Sequence, residues 1–131
     1  MSWPGQWESQ MGRVNRQVNL IPYVADATRY KRDDFWTGAD GEGSDCEDYA
    51  LAKLRRLHGI GWPIETLHLA CCYTEHDEYH AVLVVDTPHG AFILDNRMEI
   101  PVSVGRLAEL AYKPDVIQAV GGAKEWKQWL A

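Results

Sequence analysis

Three residues of this 131-residue chain have the types and the order of a thiol nucleophile, its base and an orienting carboxylate: Cys46, His80 and Asp95. Sulfur attacks a carbonyl as thiolate, so cysteine chemistry needs a nearby base or positive field. Ser44 followed three residues later by Glu47 is a capping-box pattern, which predicts a helix from about Asp45 to His58. Cys46 then falls in the first turn, where backbone N–H groups have no intrahelical partner and the macrodipole is positive. Both effects favour a thiolate. The flanking Asp45, Glu47 and Asp48 oppose it, because negative charge disfavours a second anion. Position alone is equally compatible with a buried structural cysteine.

His80 opens an apolar run, Tyr79-His80-Ala81-Val82-Leu83, and Asp95-Asn96 closes the next one, Phe92-Ile93-Leu94. Thr87-Pro88-His89-Gly90 between them supplies turn residues, so the two runs read as a β-hairpin. His80 and Asp95 then meet at its open end, across an inter-strand spacing of about 4.8 Å. A carboxylate there would fix the imidazole tautomer and stabilise the imidazolium. The plainer alternative for a strand histidine is a packed core or edge residue. A metal site built on His76 and His80 fails on spacing, because residues four apart share a face on a helix but not on a loop and strand.

The elements that must carry these residues follow from hydrophobic period. Trp7, Met11, Val14 and Val18 recur at helical spacing, so Gln6 to Leu20 reads as an amphipathic helix stopped by Pro22. Asp26 to Ser44 is polar and ends rich in glycine, which marks a long loop. Ala50, Leu54 and Leu57 give the second helix a buried face shared with Cys46, and Gly59 and Gly61 end it. Leu67 to Thr74 alternates as a half-buried strand. Ser103 to Tyr112 reads as a short helix stopped at Pro114. After it come a weak strand from Asp115 to Val120, a Gly121-Gly122 turn and the anchors Trp126 and Trp129. Helices first and strands later predicts a single α+β domain over residues 1–131, with a mostly antiparallel sheet. Cys71 and Cys72 are expected to pack within that sheet, and His58, His68 and His89 to lie at the surface or in turns.

Composition narrows the function. Thirteen basic against nineteen acidic residues give a net charge of −6, which lacks the basic footprint of nucleic-acid binding. No apolar run approaches the roughly 20 residues that span a bilayer, so no membrane insertion is expected. The N-terminus shows no signal-peptide pattern, and three cysteines cannot pair completely. A cytoplasmic protein, or the mature form of an exported one, with a free functional thiol is the resulting expectation.

Larger blocks carry a family resemblance. Ser44-Asp45-Cys46-Glu47-Asp48-Tyr49-Ala50, Lys53, Tyr79-His80-Ala81-Val82-Leu83 and Leu94-Asp95-Asn96 resemble the LapG-like bacterial transglutaminase-like cysteine peptidases. The likeness extends to Val14-Asn15, Val18-Asn19, Ile21-Pro22-Tyr23, Asp34-Phe35-Trp36 and Tyr112-Lys113-Pro114. It implies a papain-like fold, with a helix bearing the nucleophile Cys46 packed on an antiparallel sheet bearing the base His80 and the orienter Asp95. It also implies calcium bound by acidic residues around the cysteine, at Asp45, Glu47 and Asp48, hard oxygen donors of the kind that ion prefers. Such a cation would relieve the repulsion at Cys46. The same three carboxylates can instead simply cap and favour the positive end of the helix. Two departures from the family pattern are Ser44 before Asp-Cys, where glycine is usual, and Trp36-Thr37-Gly38-Ala39 in place of Trp-x-Thr-Pro.

The resulting expectation is thiol-dependent acyl transfer to water on a protein or peptide substrate. The Cys46 amide is the expected oxyanion donor, with a second from Trp36 or Asn19. Transfer to an amine, as in a transglutaminase, would use the same acyl-enzyme. A non-catalytic binding module on the same fold is the rival from another class.

Overall fold

The computed structural model describes residues 6–21, 41–118 and 125–130, with residues 41–45 described by their backbone alone. Two helices pack on one face of a six-stranded sheet. Helix α1 spans Trp7–Asn19 and α2 spans Gly41–Gly59. The strands are β1 (Leu67–Tyr73), β2 (Tyr79–Thr87), β3 (Gly90–Leu94), β4 (Val102–Ser103), β5 (Lys113–Gln118) and β6 (Trp126–Gln128). Their order is β4-β3-β2-β1-β5-β6, and every neighbouring pair is antiparallel. The expected α+β architecture, helices on an antiparallel sheet, is the one observed.

Helix α1 buries Trp7, Met11, Val14 and Val18, the stripe its spacing predicted. They join Ala50, Leu54 and Leu57 of α2 and Leu67, Leu69, Leu83, Val85 and Leu94 of the sheet in one core. Leu57, Leu67 and Leu83 are fully covered, and each such side chain stabilises the fold by about 1.5–3 kcal/mol. Trp62, just past α2, is buried with them and donates its indole N–H to Gln10 Oε1 at 2.9 Å.

The other face of the sheet is covered too, which the alternation in β1 did not predict. Ala70, Cys72, Val82, Val84, Ile93 and Ile117 form a second core with Leu107, Tyr112 and Trp129. Strand β1 is therefore buried on both faces over most of its length rather than half-buried. Cys71 and Cys72 lie inside the sheet, as expected. His68, expected at the surface, sits in β1 with its ring mostly covered. Its Nε2 is 2.9 Å from Asp86 and its Nδ1 3.2 Å from the Gln118 carbonyl.

Four other expectations change. The stretch Ser103 to Tyr112 is not an α-helix: Val102–Ser103 pairs with β3, residues 104–106 make one 3-10 turn, and further turns follow. The Ser103 side chain accepts from the Gly105 amide and stabilises a turn instead of a ladder. Strand β5 begins at Lys113, with Pro114 inside it, opposite a register shift between Cys71 and Cys72. An irregularity of that kind is where a strand tolerates a residue with no N–H. The segment expected to carry only anchors contains β6, which pairs with β5. Helix α2 also starts at Gly41, four residues before the predicted Asp45, so part of the expected glycine-rich loop is helical. Residues 22–40, and with them Trp36, lie outside the described residues, as do 119–124, which hold the end of the expected strand and the Gly121-Gly122 turn.

Candidate active site

Asp95, His80 and Cys46 are brought together by the end of a hairpin and the flank of a helix. Strands β2 and β3 pair from Thr87↔Gly90 to Leu83↔Leu94, so their open end carries His80 and Asp95, as the hairpin reading required. His80 Nε2 lies 2.7 Å from Asp95 Oδ1, with both side chains almost wholly covered. The remaining ring nitrogen, Nδ1, is left for Cys46, whose side chain hydrogen-bonds His80. Beyond the last β2–β3 pair, the Ala81 amide donates to Cys46 Sγ at 3.2 Å.

Asp95 is 1% exposed and is held by three donors. Besides His80, the Arg97 backbone N–H donates to Oδ1 at 2.9 Å and the Tyr112 hydroxyl to Oδ2 at 2.7 Å. Burial pushes the carboxyl up, but the His80 hydrogen bond and charge, with the Arg97 amide and the Tyr112 hydroxyl, hold it below its ordinary value. For His80, burial disfavours the imidazolium. The hydrogen bonds to Asp95 and Cys46 outweigh it and raise the group from 6.5 to about 9. At neutral pH the ring therefore carries a proton that a leaving group could take.

An open cleft runs past these groups, lined by Cys46, Thr74, Glu78, Tyr79, His80, Asn96 and Arg97. Cys46 itself is buried, yet it faces both the cleft and the imidazole. The two other thiols differ. Burial pushes Cys71 up to about 12 and Cys72 up as well, and neither lines the cleft.

The electrostatic setting of Cys46 departs from expectation. With α2 beginning at Gly41, Cys46 is in the second turn. Helical geometry there commits its N–H to the carbonyl four residues back, so it is not a free oxyanion donor. Asn19 is not one either. Its Nδ2 spends both hydrogens on the carbonyls of Asp95 at 3.1 Å and Met98 at 2.9 Å, and so braces the turn after β3. Asn15 Nδ2 does the same to Met98 and Glu99. The periodicity of α1 marked neither asparagine, because a polar residue on a helix shows no sign of what it will face.

Sequence reasoning gave no role to Arg97 or Glu75, and marked Tyr112 only as part of a block that carries the family resemblance. Arg97 donates from Nη1 to the Tyr112 hydroxyl at 2.9 Å and makes two bonds, 3.0 and 2.6 Å, to the Glu75 carboxylate. The Arg97 hydrogen bond holds Glu75 down at about 2. Ala111, immediately before Tyr112, has φ of 60°, a left-handed conformation costing a residue with a Cβ on the order of 1 kcal/mol. Its turn delivers Tyr112 to Asp95.

Of the carboxylates expected around a cation, Glu47 is 2% exposed and Asp48 is half-buried, while the Asp45 side chain lies outside the described residues. Among the described residues, no group of three His, Cys, Asp or Glu converges as a metal site. None of their helices is long and apolar enough to cross a membrane.

Residues 3–129 match the model of the bacterial transglutaminase-like cysteine proteinase family, BTLCP. The chain belongs to this family. It is accordingly a cysteine peptidase of the transglutaminase-like type. Among solved structures, Legionella pneumophila LapG in its calcium-bound form superposes on this BTLCP member with a TM-score of 0.68 at 26% identity, covering 93% of this chain and 68% of LapG. The EGTA-treated form of LapG gives 0.62 at 28% identity, over 84% and 62% of the two chains. This BTLCP chain thus spans roughly two thirds of the length of the LapG chains it matches. No curated protein sequence matches it significantly.

Proposed function

We propose that this protein hydrolyses peptide or amide bonds through a thioester on Cys46, with His80 as proton carrier and Asp95 as its orienter. The observation that carries the reading is a continuous chain of hydrogen bonds, Cys46 to His80 and His80 to Asp95 at 2.7 Å, beside an open cleft. The Cys46 thiolate adds to the carbonyl carbon, forming a C–S bond. The imidazolium gives its Nδ1 proton to the amine nitrogen as the C–N bond breaks. Water then yields a proton to Nδ1 as its oxygen attacks the thioester, and the acid leaves with Cys46 restored. The Ala81 amide, 3.2 Å from Sγ, stabilises the negative charge whenever it rests on sulfur.

Iodoacetamide tests this directly at pH 7. Cys46 should be alkylated about 10-fold or more faster than free cysteine, and His80→Ala should abolish the excess, because only the thiolate reacts and His80 takes the proton from sulfur. Peptide mapping separates Cys46 from the inert Cys71 and Cys72. A wild-type Cys46 no faster than free cysteine would sink the reading. With peptide substrates, product formed only when a lysine-containing acceptor is present would instead favour amine transfer.

Calcium belongs to the same proposal. Asp45, Glu47 and Asp48 supply hard oxygen donors on one turn of α2, with Glu47 already withdrawn from water, and the donor chemistry fits that ion. When bound, the ion would supply positive charge next to Cys46. The melting temperature should then rise in millimolar calcium and fall in EGTA by a few degrees, an effect that Asp48→Asn together with Glu47→Gln removes. Identical melting in the two buffers excludes the site.

A further inference from the structure

Three loops from different parts of the chain converge on the buried carboxylate of Asp95. Glu75 comes from the β1–β2 turn, Arg97 from the turn after β3, and Tyr112 from the turns before β5. They form one line: Glu75 grips the Arg97 guanidinium, Arg97 Nη1 donates to the Tyr112 oxygen, and the Tyr112 hydroxyl donates to Asp95 Oδ2. Arg97 also lies over the Tyr112 ring, 5.6 Å from its centroid, and the His80 ring meets that ring edge-on at 6.1 Å.

Resting on the hydrolase reading above, we propose that Tyr112 is a positioning residue, which locks the Asp95 carboxylate so that Oδ1 alone faces His80 and the imidazole keeps one orientation toward Cys46. Asp95 Oδ1 already serves two donors, His80 Nε2 and the Arg97 amide. Oδ2 has Tyr112 as its partner, and at 1% exposure water cannot readily replace that hydroxyl. Without it a buried carboxylate oxygen is stranded, and the group gains by turning to share its remaining donors. The donor from Arg97 polarises the phenol and strengthens its bond to Asp95. Simple space-filling explains the buried ring but not the hydroxyl, its two partners at 2.7 and 2.9 Å, or the strained Ala111 that delivers it.

The test uses the full chain labelled uniformly with ¹⁵N and follows the His80 Nε2–H proton by NMR at pH 6.5. In the wild type this proton gives a downfield signal protected from solvent exchange. Tyr112→Phe keeps the ring in place, and should raise the exchange of that proton by about tenfold or more while the Leu83 backbone amide of the same strand exchanges as before. Arg97→Met, which leaves Tyr112 intact, should move it in the same direction by less, and carries the test if Tyr112→Phe does not fold. An unchanged Nε2–H in the folded variants, or a rise matched by the Leu83 amide, overturns the positioning role. A wild type without a protected Nε2–H removes the His80–Asp95 pairing itself, and so the hydrolase reading rather than Tyr112's share in it.

Discussion

Asp95→Asn should slow acylation of Cys46 by a p-nitrophenyl ester by roughly 10⁴-fold at neutral pH, the loss typical of amide substitution in a nucleophile–base–carboxylate triad. All three partners of the carboxylate are donors: His80 Nε2, the Arg97 amide and the Tyr112 hydroxyl. An asparagine oxygen can satisfy two of them and must turn its NH₂ toward the third. More important is the lost charge. Burial is the largest influence on His80 and it opposes the proton, so without Asp95 the imidazole should release its proton well below the present value of about 9. The variant also has a stability signature. A histidine whose native pKa exceeds 6.5 contributes stability that is complete below about pH 6.5 and lost as pH rises through about 9. The gap in denaturation midpoint between wild type and Asp95→Asn should therefore be wide at pH 6 and narrow by pH 10. A catalytic loss under tenfold would remove Asp95 from the chemistry.

Lys53→Met should stabilise the protein by about 3 kcal/mol at pH 7, against the usual direction of core substitution. Lys53 is on α2, is 0% exposed, and its ammonium has no hydrogen-bond partner among the described residues. Burial lowers it from 10.5 to about 8, with Asp95 pulling the other way. The sign for a depressed lysine is the reverse of that for His80. Below pH 8 the native state carries a proton at a cost; between about 8 and 10.5 the unfolded chain binds more protons, so stability rises with pH. Methionine retains the unbranched stem and removes the charge, so its advantage should fade by about pH 10.5. Chemical denaturation of both proteins at pH 7 and pH 10.5 reads it. A variant less stable at pH 7 would mean that the ammonium is well satisfied in the native fold.

The sequence displayed what depends on period and order, and hid what depends on long-range convergence. The α1 stripe and the β2–β3 hairpin were legible because each is a local pattern, and the hairpin alone is enough to set His80 beside Asp95. The start of α2 was not, because Ser44 and Glu47 match a capping box while the glycines before them conceal a helical turn. That error of four residues moved Cys46 out of the first turn and changed the source of its electrostatic help from the helix end to the Ala81 amide. Two-sided burial of β1 was hidden because the segments covering its second face are short turns and single anchors with no period to read. Tyr112 and Arg97 lie 32 and 17 residues beyond His80. Tyr112 falls in a block that carries the family resemblance, yet nothing local in either residue says which carboxylate it will meet. Only the turns that carry them bring both to one carboxylate.

Among the described residues the sheet ends in small strands on both sides: β4 has two residues and β6 has three. The long, apolar β1 and β2, of seven and nine residues, are fully flanked inside. An exposed β-edge is a template on which a second molecule can add its own strand, and two or three residues offer few backbone groups for that. The segments best suited to self-association are thus presented only when the sheet itself opens. Concentrated solutions of the folded protein should therefore be protected by the shortness of these borders, with aggregation expected to accompany unfolding.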